Sequence, residues 1–314
     1  MSKKPRIAVL GSINMDLVAR CSRLPLPGET VIASSFSEVS GGKGANQAVA
    51  AARLGAYVTM VGRVGDDALA SRLRANLDRE GIDTTFVLET EQCPSGIAIV
   101  AVEQSGENSI IVVPGANGRL DLADVTSAAG VIRASDVLVL QLEIPIEAVL
   151  AAITLARKSG VQVILDPAPA PSQFPGELFE VDVICPNQSE ASALLGRDIE
   201  SVAEAQQAAL ELTRRGVKHA IVTLGAQGAV ASDGQHVHWF EPFAIKPIDT
   251  TAAGDAFAGA FAVRWAEQES MTEAVRYACA AGAIAASRAG AQPALPSREE
   301  INELLERVSD DTRD

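Results

Sequence analysis

The sequence predicts an α/β protein with a mostly parallel sheet, helices on both of its faces, and a small second sheet. Three observations carry this. From residue 121 onward, short apolar runs alternate with helical stretches across tight turns, the pattern of successive βαβ units. Hydrophobic residues make up 47% of the chain and aromatics only 4%, so the core must be built from Ala, Val, Leu and Ile, as buried parallel sheets are. Before that, extended segments cluster at 85–88, 96–103 and 109–113. With 14–20 and 30–39 they can form a separate small sheet, placed to act as a lid over a site. No linker, repeat or low-complexity stretch interrupts the 314 residues, which therefore read as one domain, 1–314, with the lid drawn from about 13–40 and 96–114.

The first apolar run, 7–10, ends at Gly11 and reads as a buried strand. Residues 12–19 then alternate polar and apolar, which puts Asn14 and Asp16 on one strand face. A carboxamide and a carboxylate so placed can read sugar hydroxyls, or can simply be a solvated face. A turn-rich stretch, 25–30, precedes the glycine loop at 40–44, and a helix over 45–54 stops at Gly55. The loop is not a Walker A motif, because Ser37 and Gly44 stand where that motif needs Gly and Ser or Thr. Lys43 on it is either a ligand contact or a solvated cation. No glycine fingerprint follows the first strand, which argues against a dinucleotide-binding dehydrogenase.

A strand at 57–61 and a helix at 68–80 follow, and residues 104–107 read as a hairpin turn within the lid. The regular part places helices at 122–133, 146–159, 190–195 and 202–215, and strands at 137–141, 162–165, 183–185 and 220–224. Glu143, Asp166, Asn187 and Thr223 all come just past strand ends, where ligands bind in such sheets. Asp233-Gly234 marks a hairpin between 229–232 and 236–240. Helices at 256–266, 273–287 and 298–308 close the chain, and 309–314 reads as a frayed tail. Ahead of the first of these lies Asp249-Thr250-Thr251-Ala252-Ala253-Gly254-Asp255. Small residues there let a ligand approach the backbone, and the unpaired N–H groups of a helix start suit an anion such as phosphate. Asp255 reads first as the N-cap of that helix, which Asp favours, or else as a general base.

The net charge of −14, without a basic block, excludes non-specific nucleic-acid binding. Cys21, Cys93, Cys185 and Cys279 are too scattered for a zinc site or a disulfide framework. The apolar run behind the basic N-terminus is too short for a signal peptide and no run is long enough to span a membrane, so the chain reads as cytoplasmic.

Taken together, Gly11-Ser12-Ile13-Asn14-Met15-Asp16, Gly41-Gly42-Lys43-Gly44-Ala45-Asn46-Gln47, Asn187-Gln188-Ser189-Glu190 and the stretch 249–259 resemble the ribokinase family of PfkB-type sugar kinases. They occur in family order and span essentially the whole chain. The resemblance implies a three-layer α/β/α sandwich with a small β lid that also makes a homodimer, and transfer of the γ-phosphoryl of MgATP to the 5-hydroxyl of D-ribose. It implies Asp255 as catalytic base and Ala252, Ala253 and Gly254 as anion hole. Asn14, Asp16, Gly42, Lys43, Asn46 and Glu143 match sugar contacts. Asn187, Glu190, Thr223, Leu224, Gly225, Ala226, Gln227, Gly228, Gly254 and Cys279 match the nucleotide side, with Asn187 and Glu190 tied to a magnesium–phosphate network. Asp249, Thr251, Ala285, Arg288 and Gly290 match a site for a monovalent cation, usually K⁺, held mostly by backbone carbonyls. The chain departs from the pattern at Ala256, Ala258 and Ala294, where polar side chains are common. Kinases of deoxyribose, fructose or a nucleoside, and a sugar- or nucleotide-binding protein without catalysis, are the competing readings.

Overall fold

The computed structural model describes residues 4–103 and 108–311. In chain order the elements are β1 Arg6–Leu10, β2 Asn14–Arg20, β3 Ser35–Gly41, α1 Lys43–Arg53, β4 Tyr57–Gly65, α2 Ala68–Arg79, β5 Asp83–Thr90, β6 Gly96–Val102 and β7 Asn108–Val113. The run continues with α3 Leu122–Ser127, α4 Ala129–Ala134, β8 Val137–Leu140, α5 Ile146–Lys158, β9 Gln162–Leu165, β10 Val183–Ile184, α6 Gln188–Leu195, α7 Val202–Arg214 and β11 His219–Thr223. It closes with β12 Ala229–Ser232, β13 Val237–Phe240, α8 Ala253–Ala266, α9 Met271–Ala286 and α10 Arg298–Asp311.

Nine strands form the main sheet in the order β13-β12-β11-β10-β9-β8-β1-β4-β5. All pairings from β11 to β5 are parallel, and β12 and β13 add an antiparallel edge. Strand alternation sends each side chain to one of two cores. Ile7 and Val9 join one with α1, α8 and α9, while Ala8 and Leu10 join the other with α5 and α7. This is the three-layer α/β/α sandwich that the βαβ pattern predicts. In the first core Phe261 is fully buried between Phe257 and Trp265, at ring separations of 6.4 and 5.6 Å.

The second sheet, in the order β3-β2-β6-β7, is the predicted lid. One expected member is corrected. The 85–88 segment belongs to β5, which pairs in parallel with β4 at the edge of the main sheet. Helix α2 between them makes the pair a βαβ unit, and such a crossover returns the chain to the same sheet. The stretch read as one helix over 122–133 is broken at Ala128, where α3 ends and α4 begins. Residues 309–311, expected to fray, continue α10. The predicted hairpin turn at 104–107 and residues 312–314 lie outside the described residues.

Helices α1 and α8 lie together in the first core because the contact is made by residues with almost no side chain. A Cβ on Gly259 would sit 2.6 Å from the Cβ of Ala50 and 2.8 Å from the carbonyl oxygen of Gln47. Neither neighbour has a flexible end to withdraw. Gly259→Val should therefore push the helices apart and lower stability by about 1–3 kcal/mol, the usual cost of overpacking. Urea unfolding checks this, and an unchanged midpoint would show the contact to be slack.

Candidate functional site

The site forms where the starts of α1 and α8 meet beyond the carboxyl ends of the parallel strands. The loop into α1 lies directly on β2. Gly42 has φ 90°, and a Cβ there would fall 2.7 Å from the backbone nitrogen of Asn14 and 2.9 Å from the carbonyl oxygen of Ser12. A Cβ on Gly41 would overlap the Asp16 carboxylate at 2.2 Å. Only glycine permits this approach. Lys43 is the first residue of α1, not a loop residue, and Asn46 and Gln47 point inward one turn later, both buried.

The second half is the start of α8. The helix begins at Ala253, three residues earlier than its apolar run suggests. Ala252 takes the N-cap position in left-handed conformation, φ 59°, and Asp255 is the third helical residue. The N-cap reading of Asp255 is thereby corrected: the chain reverses at Ala252, where Ala253 N–H bonds the Thr250 carbonyl at 3.2 Å and Ala256 N–H bonds Ala252 at 2.8 Å. The N–H groups of Gly254 and Asp255 are left without acceptors inside the helix, at its positive end. Freed from capping, the Asp255 carboxylate is buried and held by side chains of α1. Asn46 Nδ2 donates to Oδ2 at 2.8 Å, and Gln47 Nε2 donates to Oδ1 at 3.1 Å.

Around this pair stands a ring of acids. Asn14 and Asp16 share one face of β2, as alternation predicts, and both are buried. Asn117 Nδ2 donates to Asn14 Oδ1 at 2.7 Å and fixes its amide. Ser12 Oγ donates to Glu143 Oε2 at 2.5 Å, and the Lys43 N–H points to the same oxygen at 3.3 Å. Gln47 Nε2 also donates to Asp166 Oδ2 at 2.8 Å. Burial, then the charges of Glu143 and Asp255, push Asp16 up to about 7. Burial, with Glu190 and Asp255, pushes Asp166 up to about 8 against the pull of Lys43. Burial also raises Glu190. Lys43 sits amid these groups. Burial opposes its charge, but Asp166, Asp255, Glu143 and Glu190 together raise it above the usual lysine range. Lys43 thus faces four carboxyl groups, with Asp16 a fifth beside Glu143 and Asp255, and the site has an excess of acidic groups.

The expected nucleotide side lies on neighbouring loops. Asn187 caps α6, accepting from Glu190 N–H at 2.9 Å, while its own N–H donates to Glu190 Oε2 at 2.8 Å. The NxxE element is thus first a capping box, which fixes the Glu190 carboxylate. Thr223 ends β11 and bridges to Asn187. Leu224, Gly225, Ala226, Gln227 and Gly228 make a tight turn closed by Leu224 N–H on Gly228 O at 2.8 Å. Trp239 Nε1 pins this turn through Gln227 O at 3.0 Å. Cys279 is half-buried on α9, and burial pushes its thiol up to about 12, so it is no thiolate.

In the expected cation loop, Asp249 ties two segments together. Its Oδ1 accepts from Thr251 N–H at 3.0 Å and its Oδ2 from Gly290 N–H at 2.9 Å, bonds that outweigh burial and lower its pKa. The Arg288 side chain turns away to Glu300 at 2.5 Å, and its N–H bonds the Ala285 carbonyl at 3.1 Å, so only backbone of Arg288 is left to line the loop. Sequence reasoning missed Ser12, Gln47, Asn117 and Gln141. Ser12, Gln47 and Gln141 follow a strand end or stand beside a singled-out residue, which is the signal that was available. Asn117 lies in a 3₁₀ turn, Gly115–Arg119, with no sequence signal of its own.

The raised pKa of Asp16 has a consequence for stability. An acid raised from 3.8 to about 7 on folding keeps an extra proton in the folded state between those values, so its contribution falls as pH rises through that window. Asp16→Asn should therefore raise the melting temperature relative to the parent at pH 8, with the difference vanishing near pH 4. Thermal unfolding at several pH values checks this; a variant destabilised at pH 8 would show the burden on Asp16 to be absent.

A family model described as pfkB family carbohydrate kinase matches residues 4–298. The ribokinase of Haemophilus influenzae is 40% identical over 300 residues, covering 96% of this chain and 98% of the relative. The deoxyribokinase of Salmonella typhi is 37% identical over 301 residues, covering 95% and 98%. Among solved structures, Arabidopsis thaliana ribokinase complexed with ribose and ATP superposes with a TM-score of 0.87 at 34% identity, covering 97% of this chain and 99% of that one. The ribokinase of Thermotoga maritima gives 0.85 at 37% identity, covering 96% and 99%. With the family model running almost end to end and close relatives matched along their full length, this chain belongs to the pfkB family of carbohydrate kinases.

Proposed function

We propose that the protein phosphorylates D-ribose at its 5-hydroxyl, using ATP and releasing ADP and D-ribose 5-phosphate. The observation that carries this is the Asp255 carboxylate, buried beside the open N–H groups of Gly254 and Asp255 and near enough to Asp16 for their charges to interact. The relatives include ribokinases, one of them solved with ribose and ATP. Phosphoryl transfer needs positioning and charge stabilisation more than covalent participation. Asp16 and Asn14 take sugar hydroxyls, with Gly42, Lys43, Asn46 and Glu143 completing the sugar side. Asp255 removes the proton of the hydroxyl that attacks. Ala252, Ala253 and Gly254 shape the anion hole, where the open N–H groups of Gly254 and Asp255 stabilise charge on the transferred group. Asn187, Glu190, residues 223–228 and Cys279 face the nucleotide.

No cluster of three or more acidic, His or Cys side chains suited to a metal ion exists among the described residues. That fits Mg²⁺ held chiefly by phosphates and water, with Glu190 helping through solvent, and the acidic excess of the pocket suits a divalent cation. Bound there, it would neutralise phosphate charge. For K⁺, Asp249 joins the 251 and 290 segments, and the Asp249, Thr251, Ala285, Arg288 and Gly290 backbone supplies oxygen donors. The lid exposes Phe36, Ile99, Ile110, Ile111 and Val112, an apolar surface that supports a homodimer through the lid. Four free cysteines suit a reducing, cytoplasmic setting.

The deciding assay is ATP-dependent phosphorylation of D-ribose with Mg²⁺, with and without K⁺, against a panel holding deoxyribose and fructose. Ribose preference and K⁺ activation are expected. A deoxyribose preference would move the chain to the deoxyribokinases that it also resembles. Asp255→Asn should lower kcat by roughly 10²–10⁴-fold while sugar affinity survives; near-full turnover would refute the assignment of the base.

A further inference from the structure

We propose that Gln47 is a positioning residue for the catalytic base, and that Gln141 locks it in the one orientation that serves. The proposal rests on Asp255 acting as base. Gln47 is 1% exposed and Gln141 is fully buried, so neither amide can satisfy itself with water. Gln141 Nε2 donates to Gln47 Oε1 at 2.6 Å. With its oxygen engaged there, Gln47 must turn its NH₂ the other way, and the two hydrogens meet two carboxyl oxygens, Asp255 Oδ1 at 3.1 Å and Asp166 Oδ2 at 2.8 Å. The reverse orientation would press an amide oxygen against both acids and put NH₂ against NH₂ at Gln141.

The lock is built into the sheet. Gln141 follows β8 and Asp166 follows β9, neighbouring strands, while Gln47 comes from α1 above them. Gly11, after the adjacent β1, makes room: a Cβ there would lie 1.8 Å from Gln141 Oε1. Gln141 Oε1 has no hydrogen-bond partner, so the structure accepts an unpaired buried acceptor in order to keep the Gln141 donor aimed at Gln47. Such an atom is costly, and its retention points to a role beyond packing.

The need for the lock follows from the charges that face Asp255. Among the described residues Lys43, at the start of α1, is the cation whose charge bears on Asp255. Asp16 on β2, Asp166 after β9 and Glu190 on α6 all bear on Asp255 or on its neighbours, and Glu143 after β8 adds to the acidic side. Like charges favour the protonated form of a carboxylate, which cannot accept a proton from substrate. Amide N–H groups on both oxygens, from Asn46 and Gln47, answer those charges with fixed donors. They also hold the plane of the carboxylate, so that a lone pair stays aimed at the sugar hydroxyl.

The test is the pH profile of kcat/KM for ribose in Gln47→Leu and Gln141→Met. Losing a donor to a carboxylate makes it hold its proton more tightly, so the acidic limb should move up by about one pH unit in Gln47→Leu. In Gln141→Met, which touches neither substrate nor base, it should move the same way by less. Activity at neutral pH should fall by about tenfold or more in Gln47→Leu, with calorimetric ribose affinity kept within about threefold. A purely structural role predicts lost activity with an unmoved limb. That result in either variant overturns the proposal, as does a loss confined to ribose affinity. Should Gln47→Leu fail to fold, the profile of Gln141→Met decides alone. If the parent prefers another sugar, the profile is measured with that sugar; a parent without kinase activity would sink the functional reading itself, and this proposal with it.

Discussion

The close crossing of α1 and α8 is the contact on which everything else depends. Asn46 and Gln47 on the first helix and Asp255 on the second lie about two hundred residues apart in the chain, yet they share hydrogen bonds. That is possible because Gly259 and Ala50 let the two helices approach to a distance that any larger pair would forbid. The glycines ahead of α1 lie against β2, with Gly41 on Asp16, and Lys43 comes beside Asp166, Asp255, Glu143 and Glu190. The low aromatic content follows from this: helices packed so closely on a parallel sheet have room for Ala and Gly, with Phe261 and its stacked neighbours further along α8.

The second constraint is electrostatic. Five carboxyl groups converge where the fold offers one lysine, and the protein tolerates the strain by letting Asp16 and Asp166 hold protons near neutral pH. Such a pocket is poorly solvated and over-acidic without ligands. Carboxyl groups raised in this way cost stability as pH rises, and such clusters gather at sites that recognise charge.

Backbone economy shows in the loops. NxxE reads as a ligand motif, but its first task is to cap α6, and that task is what holds Glu190 still. Asp249 likewise spends both oxygens on joining the segments at 251 and 290 before any ion is considered. At Ala252 the reverse holds. The N-cap has no side chain to cap with, so the first N–H groups of α8 stay open, and the Asp255 carboxylate is left to bond Asn46 and Gln47.

Much of this was legible in the chain itself. Local periodicity determined the βαβ succession and the shared face of Asn14 and Asp16, because spacings of two and of 3.6 residues are properties of the backbone alone. Glycine placement likewise marked the turn into α1, although the loop expected at 40–44 narrows to Gly42 between β3 and the helix, and strand ends marked Glu143, Asp166, Asn187 and Thr223. Tertiary structure decided the rest. Nothing local says that β5 joins the main sheet and not the lid, since an edge strand reads the same in either; the crossover through α2 settles it. Nothing local could remove the cap reading of Asp255, because that depends on where the chain reverses at Ala252 and on which amides arrive from α1. Asn117 was invisible as a site residue for the same reason, and the position of Gln47 beside Asn46 and of Gln141 after a strand gave their amides no partners. An amide has no spacing signature, and its role exists only once partners distant in sequence are packed within hydrogen-bonding reach.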